Sequence, residues 1–208
     1  MRKPLNRWFH ALMVTGLIAA SGCASLVTPD VQTERKALRA GNYSLDQTHA
    51  AVHFRINHLG FADYLGRFET VQATLTFDED DPTTAQVDAE IDMTSLDIAN
   101  DEFAATLMGP DWFDVEAHPV ARFTSDAITV TGETSGTMTG ELTLHGVTAP
   151  VTFFVTFNGG ARDLLRSAYV TGFSAYADID RTDFRISRFS GVITDTVRIE
   201  IEAEFLRG

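Results

Sequence analysis

The sequence predicts an all-β fold: one closed antiparallel barrel or sandwich of eight or more strands, carrying a single short helix. Three observations predict it. Stretch after stretch alternates apolar and polar residues with period two, between breaks rich in Gly, Asp, Asn and Pro. One interval alone has helical character, and no domain-sized linker divides the roughly 165 residues from Tyr43 onward. Period two with one polar face is the mark of antiparallel strands wetted on one side.

The chain opens with a basic start, Arg2, Lys3 and Arg7, followed by an apolar run from Trp8 to Ala20 that only His10, Thr15 and Gly16 interrupt. That run is short for a membrane span and has the order of an export signal. It ends in Ala20-Ser21-Gly22-Cys23, which resembles a lipobox, with alanine where leucine is usual. Residues 1–22 are therefore expected to be a lipoprotein signal peptide, with Cys23 the site of lipidation. Cys23 is the only cysteine, so it has no internal disulfide partner, and acylation would remove an exposed thiol. Ala24 in place of aspartate resembles outer-membrane sorting, so the expected location is the periplasmic side, anchored to the outer membrane. Several acyl chains at about 0.8 kcal/mol per buried CH₂ would hold it firmly.

Residues 23–42 are expected to form a flexible tether with a reach of roughly 20–25 Å. They contain Thr28-Pro29-Asp30 and a mixed-charge stretch, and a short helix around 31–40 is compatible with them. Strands follow over residues 43–208. Val52, Phe54 and Ile56 alternate with polar neighbours, as do Val71 to Phe77 and Val87 to Met93. Asn100 to Leu107 then predicts a helix of about two turns, opened by the N-cap types Asn100 and Asp101 and stopped by Gly109-Pro110. The aromatic turn Asp111-Trp112-Phe113-Asp114 comes next, with Trp112 and Phe113 expected to cover one barrel end as lid or core. Alternation resumes over Met138 to Leu144 and Val151 to Phe157. It is cleanest in Val197, Ile199, Ile201, Ala203 and Phe205 against Arg198, Glu200, Glu202 and Glu204.

Charge and motif content exclude several functions. The formal net charge is −13, and losing Arg2, Lys3 and Arg7 with a leader leaves 13 basic against 29 acidic residues, or −16. Such a field repels nucleic acid. No Gly-x-Ser-x-Gly elbow is present, no Cys/His cluster with zinc-ligand spacing is found, and His49 and His53 lie in strand-like sequence. No catalytic residue, metal or cofactor is therefore expected. Asp178, Asp180 and Asp183 read as a solvated strand end, and Asp46, Arg181 and Asp183 as residues that fix strand ends by hydrogen bonds.

An eight-stranded barrel can be filled by its own side chains or can hold one small ligand. The 15 phenylalanines suit either outcome, and by periodicity alone a filled core is the simpler reading. Several segments, however, occur together and in order. They are Tyr43-Ser-Leu-Asp46-Gln-Thr-His49, Val52 to Gly60, Gly66-Arg67-Phe68, Asp111 to Asp114, His118-Pro119 with Phe123, Gly140 to Val151 with His145-Gly146, and Asp180 to Phe184. They resemble the YceI-like family. The resemblance covers Tyr43 to about Ser187 and implies a lipocalin-like eight-stranded barrel. It further implies binding of a polyisoprenoid or other long-chain amphiphile, with no established catalysis, and leaves monomer or homodimer open. Departures are Ala50 for serine, Phe103 to Leu107 without the family's arginine and histidine, and Arg185 for glycine.

The expected function is thus a lipid-anchored carrier of an apolar ligand such as a polyisoprenoid, isoprenoid quinone or fatty-acid derivative. A filled-core stress-response or scaffold protein is the alternative, and an enzyme acting on lipid a third. The candidate ligand-binding residues are Phe54, Ile56, Leu75, Phe77, Ile91, Phe123, Leu142, Phe153, Val155, Phe173, Ile199 and Ile201. His58, in phase with Phe54 and Ile56, is a candidate for a headgroup.

Overall fold

The computed structural model describes residues 27–78 and 80–208. The expected signal peptide and Cys23 lie outside them. Ten strands run in chain order: β1 (Gly41–His58), β2 (Ala62–Phe68), β3 (Val71–Phe77), β4 (Gln86–Asp92), β5 (Leu96–Asp97), β6 (Val120–Val130), β7 (Ser135–Leu144), β8 (Val147–Asp163), β9 (Ala168–Asp180) and β10 (Thr196–Arg207). Eight of them close antiparallel in the order β1-β3-β4-β6-β7-β8-β9-β10, with β10 pairing back onto β1. The predicted eight-stranded barrel with one helix is the structure observed.

The other two strands exist because β1 is long. Its first residues, Gly41 to Ser44, pair with β3, whereas Val52 to His58 pair with β2, and β5 extends that edge. Between the two halves the register against β10 slips, from Leu45↔Phe205 to Ala50↔Ala203. The extra residues form a bulge in which the Asp46 carboxylate accepts from the Thr48 N–H and hydroxyl. The slip bends β1 away from β3, and β2 takes the vacated edge.

The helix α1 (Asp101–Met108) forms where capping chemistry predicts it. The Asn100 side chain accepts from the Phe103 N–H at 2.9 Å, and Asp101 and Glu102 complement the positive end of the helix. Ala104 and Leu107 face inward and lay the helix across one end of the barrel. The chain then turns back through Trp112, Phe113 and Val115, which pack with it. No helix among the described residues is long and apolar enough to cross a membrane.

The leading segment departs from expectation. Residues 32–42 lie on the barrel, not off it. Gln32 and Gly160 exchange both backbone hydrogen bonds (3.1 and 2.9 Å), and Ala37 and Leu38 are buried. The Tyr169 hydroxyl donates to the Ala37 carbonyl at 2.5 Å. Only a single 3-10 turn, Arg35–Ala37, stands where a short helix was compatible with the sequence. Leu38 is the cause: once it and Ala37 have an apolar partner, the segment gains more by burial than by freedom.

Candidate functional site

The strands run so that their turns divide between two ends. The β3–β4, β6–β7 and β8–β9 connections share one end with residues 32–42, and α1 with the aromatic turn occupies the other. At the α1 end the interior is filled. Phe54 packs against Phe68 and Phe113 (ring centroids 5.9 and 6.2 Å), with Val52, Met93, Ile98 and Leu107 in the same cluster. Gly66 permits this: a Cβ there would lie 2.4 Å from the Phe54 ring, so only glycine lets the ring lie on β2. Phe184, 1% exposed, and Ala177, 0% exposed, complete the packing beneath β8 and β9.

Toward the opposite end the same inward faces separate around a cavity of about 240 Å³. Val52, Val71, Ile91 and Leu142 form its floor, shared with the filled half. Its wall carries Leu75 and Phe77 from β3, Phe123 from β6, Phe153, Val155 and Phe157 from β8, and Phe173 from β9. Ile199, Ile201 and Phe205 of β10 complete the ring. The lining on β3 runs from Val71 to Phe77, which at the rise of a strand is about 20 Å of depth. Ala73, Ala89, Ala175 and Ala203 also face inward, and these small side chains leave the space that bulky ones close below. Arg35, Pro82 and the β6–β7 turn from Gly132 to Ser135, with Glu133, rim the mouth. Among the described residues no other charged side chain lines the cavity except Glu202, which is exposed on the outer face of β10 with its carboxylate accepting from the Ser174 hydroxyl.

The structure brings together Leu75, Phe77, Ile91, Phe123, Leu142, Phe153, Val155, Phe173, Ile199 and Ile201 of the candidate ligand-binding residues. Phe54 and Ile56 do not line the cavity. They share the inward phase but lie below the floor, Phe54 in the filled core and Ile56 half-buried opposite Val197. His58 is exposed at the last residue of β1, so its phase carries it past the barrel wall. Trp112 and Phe113 cover the closed end as core: both pack against the two clusters there, and Trp112 also meets Phe189 (6.3 Å). Val52, Leu45, Met138, Phe157 and Phe205 line the cavity in addition to the candidates, all in strand phases the alternation had marked or adjoining them.

Two polar clusters hold the ends. Arg181, 3% exposed, donates to the carbonyls of Ile186 and Arg188 and to the Asp195 carboxylate at 2.6–2.9 Å, tying the chain between β9 and β10. At the mouth Arg166 reaches Asp163, Asp46 and Glu204 at 2.6–3.0 Å and joins the β8–β9 turn to β1 and β10. The Thr48 hydroxyl, with Arg166 and His49 assisting, holds the Asp46 carboxyl well below its usual range. Hydrogen bonds from the Arg166 N–H and guanidinium lower Asp163 likewise. Arg181 and Asp46 thus fix chain ends as expected. Asp183 is exposed and makes no hydrogen bond among the described residues, so that expectation is corrected.

Comparison with known proteins bears on this geometry. The family model described as YceI-like domain matches residues 43–205. A UPF0312 protein of Pseudomonas savastanoi pv. phaseolicola is 34% identical over 167 residues, covering 79% of this chain and 86% of the relative. Among solved structures, BcnA of Burkholderia cenocepacia superposes with a TM-score of 0.70 at 24% identity, over 77% of this chain and 98% of that one. A polyisoprenoid binding domain from Saccharophagus degradans, implicated in plant cell wall breakdown, superposes at 0.60 with 16% identity, over 80% of this chain and 98% of that one.

Proposed function

Because this chain belongs to the YceI-like domain family, we propose that its barrel binds and carries one long apolar molecule: a polyisoprenoid, an isoprenoid quinone or a fatty-acid derivative. The observation that carries the reading is the cavity itself, walled by phenylalanine and aliphatic side chains from its floor to its rim. The polyisoprenoid binding domain named above has the same fold, which supports the ligand class. The protein acts, in this reading, on the periplasmic side, exported by residues 1–22 and anchored to the outer membrane through acylated Cys23. It performs no covalent chemistry on its ligand.

The energetics suit a carrier without a polar anchor. A buried five-carbon isoprene unit contributes at most about 4 kcal/mol, at about 0.8 kcal/mol per carbon. Three units therefore exceed the roughly 8 kcal/mol of micromolar affinity even after substantial ordering costs. Headgroup contacts would come from Arg35 and Glu133, the charged side chains that line the rim.

Native mass spectrometry of the protein purified from the periplasm, followed by organic extraction, tests this. A stoichiometric long-chain species is expected. Phe153→Asp should lose it, and Ala175→Leu, which narrows the cavity without adding charge, should weaken its binding while keeping the fold. A protein that is empty and takes up neither added quinone nor polyprenol would instead mark a barrel that acts through its surface.

A further inference from the structure

Away from the cavity, at the closed end, the fold assembles a group that the linear sequence keeps apart. Asp114 and His118 lie in the turn that follows α1, where the His118 N–H donates to the Asp114 carbonyl at 2.8 Å. His145 lies in the two-residue turn between β7 and β8. One ligand atom from each of the three side chains lies within 4.8 Å of the others, and all three residues are partly buried. We propose that Asp114, His118 and His145 form a binding site for a divalent transition-metal ion of the zinc type.

Four features support it. The His145 Nδ1 lies 3.0 Å from the Phe184 carbonyl. A carbonyl only accepts, so Nδ1 carries the proton and the neutral ring keeps its lone pair on Nε2; metal-binding histidines are commonly oriented by such a bond. The Asp114 carboxylate and the His118 imidazole have no hydrogen-bond or ion-pair partner among the described residues, His118 meeting only the His145 ring edge-on at 5.2 Å. Both Asp114 (φ 46°) and His145 (φ 50°) adopt the left-handed backbone that side chains disfavour. Finally, a Cβ on Gly146 would fall 2.5 Å from the His118 ring, so glycine is what allows the two imidazoles to meet.

Two imidazoles and a carboxylate suit zinc and its neighbours, and three protein ligands leave a position for water. Donor atoms up to 4.8 Å apart must draw together by at most about 1.4 Å to share a tetrahedral ion with bonds near 2.1 Å, a shift within the reach of side-chain rotation. The ion would pin the turn after α1 to the β7–β8 turn and brace the filled end of the barrel. It would not touch the apolar cavity.

The test uses the full chain carrying Cys23→Ser, which removes the one thiol. Titration with Zn²⁺ by calorimetry, and with Co²⁺ by visible absorption, should show one ion per chain with nitrogen and oxygen ligands. Asp114→Asn and His145→Asn keep a residue tolerant of the left-handed backbone. Each, like His118→Ala, should weaken binding about tenfold or more and abolish the rise in melting temperature that Zn²⁺ gives the parent. A triple variant of the surface histidines, His49→Ala with His53→Ala and His58→Ala, should bind as the parent does. Absence of stoichiometric binding, or binding that survives His118→Ala and His145→Asn or disappears in the surface triple variant, would overturn the proposal.

Discussion

The two halves of this barrel are built from the same strands with the same alternation, yet one is packed solid and the other encloses a cavity. At the closed half Phe54, Phe68 and Phe113 interlock beneath α1, and Phe184 fills the space beneath β8 and β9. At the open half six phenylalanines line the wall, but Ala73, Ala89, Ala175 and Ala203 stand between them and no α-helix among the described residues caps the end. The difference teaches that a barrel of this circumference is filled or hollow according to side-chain volume at each level and to what lies across its mouth. Strand phase alone decides neither.

Truncating a phenylalanine in each half should give the largest contrast. Phe184→Ala removes a side chain 1% exposed and should cost about 3–5 kcal/mol in urea unfolding. Phe173→Ala removes one whose far side already faces the cavity, and should cost about 1–2 kcal/mol. Equal losses would mean that the cavity collapses around its wall in solution.

Enlarging an alanine inverts the experiment. Ala177→Leu, at a position 0% exposed, should destabilise by about 1–3 kcal/mol through overpacking. Ala175→Leu, two residues away on the same face of β9, should leave the unfolding midpoint nearly unchanged while weakening ligand binding. A large penalty at Ala175 would mean that the space seen above it is not available to a side chain.

The smallest effect concerns the acid sensitivity of the mouth. The Asp46 and Asp163 carboxyls are held below their usual range in the folded protein, so they bind fewer protons folded than unfolded. Their stabilisation is present above about pH 4 and is lost as pH falls through the folded values. Arg166→Gln should remove about 1 kcal/mol or less at neutral pH and flatten the acid limb of stability below pH 4. Hydrogen exchange should place that loss at the β8–β9 turn and not at the closed end.

Much of this architecture was legible in the residues, and its gaps have physical causes. The runs that became β1, β3, β4, β7, β8 and β10 stood out because bulky residues mark their inner faces. β9 did not, since Ala175 and Ala177 lie inward where the pattern looks for large side chains, and β6 did not, since its register against β7 slips between Ser125 and Ala127. Asn100 announced α1 through its capping geometry. For the cavity, alternation assigned Phe54, Ile56 and His58 to the same face as Val52, which was sound for the first two. It carried no information about height along the barrel axis, and height separates wall from filler. Asp114, His118 and His145 were invisible as a group because only the closure of the barrel brings the β7–β8 turn beside the turn after α1.

The bridge between Gln32 and Gly160 also decides how force enters the molecule. Tension applied to the leading segment bears on those two hydrogen bonds and, further along, on Leu38, which lines the cavity. A bridge of two bonds loaded from one end peels one bond at a time, whereas the β1–β10 ladder behind it spans both halves of the barrel. Traction on the leading segment would therefore draw Arg35 and Leu38 away from the mouth before it disturbed the strands. The segment that bears the load also supplies Arg35 and Leu38 to the mouth.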